Sequence, residues 1–71
     1  MAKEYVLFVG THNSVRDQMA EGLVNSMFGK DLEAYSAGII PRDLNEDAVA
    51  VMSEIGIDIS KQRSKNFRRF C

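Results

Sequence analysis

Residues 5–17 read Tyr5-Val6-Leu7-Phe8-Val9-Gly10-Thr11-His12-Asn13-Ser14-Val15-Arg16-Asp17. An apolar run stops at a glycine, crosses a short polar loop and enters a helical pattern with an arginine in its first turn. Tyr5 to Val9 is rich in β-formers and does not alternate, which predicts a strand covered on both faces, as in a parallel sheet. A strand that delivers the backbone to a helix N-terminus is the layout of an anion-binding loop. The unpaired N–H groups and the positive dipole end there attract an oxyanion. The candidate anion-binding residues are Thr11, His12, Asn13, Ser14, Val15 and Arg16. The amides of Thr11 to Val15 line up toward one point, and Arg16 offers a bidentate fork. The loop contains no cysteine, so it is better suited to holding an anion than to attacking one.

Downstream, Val15, Met19, Leu23 and Met27 recur every four residues, with Ala20 and Val24 widening the stripe. This predicts an amphipathic helix to about Phe28, with Gly29 as a left-handed C-terminal cap. Leu32 to Ser36 predicts a second strand, closed by Ala37-Gly38. Asn45 reads as an N-cap before Glu46 and Asp47, with Leu44 and Val49 as a hydrophobic staple. Ala48, Val51, Met52 and Ile55 form the next helical stripe, and Gly56 ends it. Ile57-Asp58-Ile59 is a brief extended segment. The order strand, helix, strand, helix gives an α/β class with parallel strands. Met19, Met27 and Met52 sit on helical stripes and read as core fillers, not metal ligands.

With 71 residues the chain makes one small domain, near the lower limit for a self-sufficient core. Its net charge of −1 argues against a general nucleic-acid binder. The single cysteine, Cys71, allows no internal disulfide and no thiolate metal site, which fits a reducing cytoplasm. The apolar run of 5–9 is too short for a signal core, and no segment reaches the length of a membrane span, so a cytoplasmic protein is expected. No residue pattern implies a metal or cofactor. Residues 1–60 form the expected domain and 61–71 a basic tail, with Lys61, Arg63, Lys65, Arg68 and Arg69 and no acid. The tail, with Phe67 and Phe70, reads as solvated.

Three segments together carry a resemblance. They are Val6 to Leu23, Ala34-Tyr35-Ser36-Ala37-Gly38, and Glu54 to Ser60 with Ser64-Lys65. The chain resembles the low-molecular-weight protein tyrosine phosphatase fold family. His12 and Gln18-Met19-Ala20-Glu21-Gly22 tilt it toward the thioredoxin-coupled arsenate reductase branch. The family loop runs cysteine, five residues, arginine, then serine or threonine. Here those positions are Gly10, Arg16 and Asp17, so the nucleophile is absent and a carboxylate stands where a hydroxyl would support the thiolate. The resemblance places the family's general acid, and the branch's redox cysteine relay, beyond the end of this chain. Cys71 matches neither. Without nucleophile and acid, oxyanion stabilisation by Arg16 and the loop amides gives binding, not turnover. A non-catalytic relative that holds phosphate, sulfate or arsenate is expected; a residual phosphatase or reductase is the alternative.

Several residues also have plainer readings. Asp17 repels an anion about 5 Å away by roughly 3 kcal/mol at an effective dielectric near 20, although a carboxylate suits a helix N-terminus. His12, without a clustered partner, reads as a surface loop residue. Asn13 and Ser14 read as holders of the loop's shape. The resemblance also implies a four-stranded, partial Rossmann-like parallel sheet, of which this chain supplies two strands. The unpaired edge of 5–9 then predicts self-association as a homodimer, and with it the alternative of an interaction module that uses this edge and the basic tail.

Overall fold

The computed structural model describes residues 3–66 and Arg68. The expectations for Phe67, Arg69, Phe70 and Cys71 lie outside the described residues. Four elements follow the predicted order: β1 (Glu4–Gly10), α1 (Arg16–Met27), β2 (Leu32–Gly38) and α2 (Glu46–Glu54). β1 and β2 are parallel and in register from Glu4 opposite Leu32 to Gly10 opposite Gly38. Both strands therefore end at the same level, where the β1–α1 loop begins. No helix of the described residues is long and apolar enough to cross a membrane.

The sheet is covered on one face, not two. α1 packs on β1 and β2, and α2 packs on α1. Val6 and Phe8 are half-buried, whereas Tyr5, Leu7 and Val9 are exposed. On this bare face the rings of Tyr5 and Tyr35 stack with centroids 6.3 Å apart. A continuous apolar run cannot report how many layers the described chain supplies to cover it.

The buried face of α1 also differs from the expected stripe. Gln18, Glu21 and Gly22 are buried, Met19 and Leu23 pack at the margin of the core, and Val15 and Met27 are exposed. The reason lies at Gly22. A Cβ there would collide with Cγ2 of Ile59, so the helix turns its smallest residue toward the core and brings polar neighbours inward with it. The core proper is Ala48, Met52 and Ile59, flanked by Met19, Leu23, Leu44, Val49 and Ile57. Met52 is the core filler expected; Met27 is not.

α2 begins as the sequence predicts. The Asn45 side chain accepts from the N–H groups of Asp47 and Ala48 at 2.8 and 3.1 Å, satisfying two orphan donors. Leu44 and Val49 both pack on the core beneath this cap. Val51 and Ile55 are exposed, so the buried stripe is narrower than expected. Gly56 has φ +82° and ends the helix in the left-handed region, while the Ile57 N–H donates to Met52 O at 2.9 Å. Gly29 is different: it does not have positive φ. A Cβ there would sit 2.5 Å from the Asn25 carbonyl oxygen, so glycine serves close approach at the end of α1 instead of a left-handed cap.

Beyond Ile59 the chain turns back. The Asp58 carboxylate accepts from the N–H and Oγ of Ser60, which holds it below the usual carboxylate range. Residues 62–66, read in the sequence as part of a solvated tail, return to the β1–α1 loop. Gly38 N–H donates to Lys65 O at 2.6 Å, and Asn66 forms an isolated parallel bridge with Gly38.

Candidate functional site

Residues Gly10 to Asp17 line one cleft of about 520 Å³ at the C-terminal end of β1. This brings together every loop residue singled out from the sequence, with Gly10 and Asp17 at its two ends. Four loop carbonyls are engaged by the segment that follows β2. Gly10 O accepts from Ile39 N–H, Thr11 O from Ile40 N–H, His12 O from Arg42 N–H and Ser14 O from Asn45 N–H, at 2.8–3.1 Å. Among the described residues, the backbone N–H groups of Thr11 to Val15 meet no acceptor. Acceptors already engaged and donors left over is the polarity that an anion site requires.

Arg16 is exposed, lines the same cleft and forms no ion pair among the described residues. Asp17, in the first turn of α1, folds back over Gly10. A side chain at position 10 would place its Cβ 2.5 Å from Asp17 Oδ1, 2.6 Å from Cγ, and closer still to Oδ2. The carboxylate thus occupies volume that a residue with a Cβ would need. Its Oδ2 is sealed from solvent and accepts no hydrogen bond among the described residues.

His12 is not a free surface residue. Its Nδ1 lies 3.0 Å from the Ile40 carbonyl oxygen, which can only accept, so Nδ1 carries a proton in this contact. The ring latches the loop to the segment after β2. Asn13 holds the loop's shape, as expected of it. It is fully buried, with φ 51°, a left-handed conformation that asparagine tolerates better than most residues. Its Oδ1 accepts from Gln18 Nε2 at 2.9 Å and from the Lys65 N–H at 2.7 Å.

The polar network beneath the loop was not visible in the sequence. The Nε2 protons of the fully buried Gln18 serve three acceptors: Asn13 O, Asn13 Oδ1 and Arg63 O, at 2.9–3.0 Å. Gln62 Nε2 donates back to Gln18 O and Oε1. Nearby, buried Glu21 accepts from Ser36 Oγ at 2.8 Å, and Lys65 Nζ lies 3.4 Å from the same carboxylate oxygen. Ser64 Oγ donates to His12 O at 3.0 Å. The usable signal was the Gln18/Glu21 spacing, which puts two long polar side chains one above the other on a helix. Which way that face points depends on Gly22.

Gln18 is therefore a strut for the loop. Gln18→Glu keeps the shape but replaces the donating NH₂ with an oxygen set against three acceptors. We expect it to cost about 2–3 kcal/mol, and Gln18→Ala about 1–3 kcal/mol. Urea unfolding of the variants checks this. A loss below about 0.5 kcal/mol in both variants, the ordinary range for surface changes, would show that the network carries no weight.

The family described as low molecular weight phosphotyrosine protein phosphatase matches residues 5–71. The arsenate reductase of Halalkalibacterium halodurans is 48% identical over 64 residues, covering 90% of this chain and 46% of that protein. The Bacillus subtilis arsenate reductase is 47% identical over the same length, with the same coverage of both chains. Among solved structures, an arsenate reductase in its phosphate-binding state superposes with a TM-score of 0.91 at 37% identity, covering 96% of this chain and 52% of that one. A low molecular weight protein tyrosine phosphatase from T. tengcongensis gives 0.80 at 41% identity, covering 96% of this chain and 51% of its own. The chain thus spans about half the length of the curated relatives it matches. With its β-α-β-α order, parallel strands and loop position all in agreement, the chain belongs to the low molecular weight phosphotyrosine protein phosphatase family, on its arsenate reductase branch.

Proposed function

We propose that this chain is a catalytically impaired member of its family that binds phosphate-type or arsenate-type oxyanions in the loop 11–16. One observation carries the reading: Thr11 to Val15, whose N–H groups have no acceptor among the described residues, line a single cleft with Arg16 and with Gly10, which has no side chain. Donors for a tetrahedral anion are retained, and the attacking atom is missing. The phosphate-binding state of the similar arsenate reductase is consistent with it. Titration with sodium phosphate, followed by backbone amide shifts, tests the proposal. Thr11 to Arg16 are expected to shift with millimolar affinity, and Arg16→Ala to abolish the effect. Unmoved amides at tens of millimolar phosphate would leave a scaffold without a ligand.

A second reading concerns partners. Tyr5, Leu7, Val9, Ile39 and Ile40 are exposed, and Tyr5, Leu7 and Val9 belong to the uncovered sheet face. We propose that a second copy covers this face in a homodimer, within the cytoplasm. Sedimentation that finds only monomer at high micromolar concentration would remove this proposal without touching the first.

A further inference from the structure

The Asp17 carboxylate is the one group at the cleft that does not suit an oxyanion, and its position suggests what kind of anion enters. It lies over Gly10 with Oδ2 enclosed and without a donor. Gly10 offers no side chain to supply one, and Arg16, the adjacent cation, makes no ion pair with it among the described residues. Asp17 lines the same cleft as loop residues whose N–H groups have no partner among the described residues, and its Oδ1, unlike the enclosed Oδ2, is open to a guest and has no donor among the described residues either.

We propose that Asp17 makes the loop selective for oxyanions that carry an O–H, such as phosphate or arsenate, over equally charged oxyanions that carry none. This inference rests on the anion-binding reading. A guest with only lone pairs can accept from the loop but sets oxygen against oxygen at Asp17. A guest with one O–H uses its bare oxygens on the loop and Arg16 and turns its hydroxyl to the carboxylate. That contact replaces repulsion with a charge-assisted hydrogen bond. The wrong guest forfeits that bond and also sets like charges face to face at the carboxylate.

Phosphate and sulfate supply the comparison. Above the second ionisation of phosphate both are tetrahedral dianions, and they differ by one proton. We expect phosphate to shift the amides of Thr11 to Arg16 with an apparent affinity about tenfold or more above that of sulfate at equal ionic strength. Asp17→Asn keeps the shape, removes the charge and offers an N–H. It is expected to raise sulfate affinity by about tenfold or more and to close the gap. Equal binding of both ions by the unaltered protein, or an undiminished preference in Asp17→Asn, would overturn the selectivity while leaving the anion site intact. If neither ion moves the loop in either protein, the anion site itself fails. Asp17→Ala guards against a fault peculiar to the amide, since it removes the acceptor without adding a donor and is also expected to close the gap.

Discussion

Gly10→Cys alone is expected to give an unreactive thiol, and Gly10→Cys with Asp17→Ser a reactive one. The cause is steric first. The Asp17 carboxylate fills the volume beside the Gly10 Cα, so any Cβ at position 10 forces it to move. A short side chain on the first turn of a helix has few places to go, and it stays within a few ångströms of the new sulfur. A carboxylate about 4 Å from a thiolate opposes its charge by about 4 kcal/mol at an effective dielectric near 20, and solvent in the open cleft reduces this to about 3 kcal/mol. That raises the thiol pKa by about two units and lowers the thiolate fraction about a hundredfold. In the double variant the hydroxyl donates to the thiolate, and the helix end and loop amides favour it. Alkylation by iodoacetamide near neutral pH, in a Cys71→Ser background, reads the difference. Equal rates would mean that Asp17 swings clear of residue 10, and the two positions would then be independent.

The second large effect lies in the core. Ile59→Ala is expected to lower stability by about 3 kcal/mol, as for other fully buried aliphatic residues cut to alanine. A domain of this size has only about 4–10 kcal/mol in total, so the urea midpoint should fall by a third or more. Gly22→Ala alone should also destabilise, by about 1–3 kcal/mol, because its methyl collides with Ile59 Cγ2. Combined, the two should not add. With Ile59 shortened, the methyl at position 22 enters vacated space and brings the helix preference for alanine over glycine, about 1 kcal/mol. Gly22→Ala should therefore stabilise the Ile59→Ala protein while destabilising the parent. A same-signed effect in both backgrounds would place the contact elsewhere.

The local signals in the chain were sound where short-range physics decides. The Asn45 cap depends on a few adjacent residues and forms as read, and Leu44 and Val49 on either side of it both pack on the core. The Gly56 helix end and the strand–loop–helix layout around Gly10 to Arg16 also form as read. Errors appear where a distant residue sets the outcome. The stripe from Val15 to Met27 has the correct period, and Met19 and Leu23 reach the margin of the core, but the buried face is centred on Gln18, Glu21 and Gly22 instead. Gly22 admits Ile59, which lies 37 positions later in the chain, and the helix rotates to meet it. Gln18 and Glu21, which a hydropathy stripe assigns to solvent, follow it inward and find partners at Arg63, Gln62, Ser36 and Lys65.

The site divides in the same way. A polar loop followed by an arginine, with a glycine where the resemblance expects a cysteine, is a matter of residue identity at fixed spacing, and the amino-acid order alone makes it legible. That Asp17 lies over Gly10, that His12 latches to Ile40, and that 62–66 strap the loop from behind needed the folded chain. Each is a meeting of side chains with backbone brought close by the parallel crossover, and no local periodicity encodes such a meeting. Sequence determined what the loop has to offer a ligand, because donors and charges belong to residues. Tertiary structure decided which of those groups face each other across the cleft, because packing in three dimensions, not order along the chain, sets the distances at which charge and volume act.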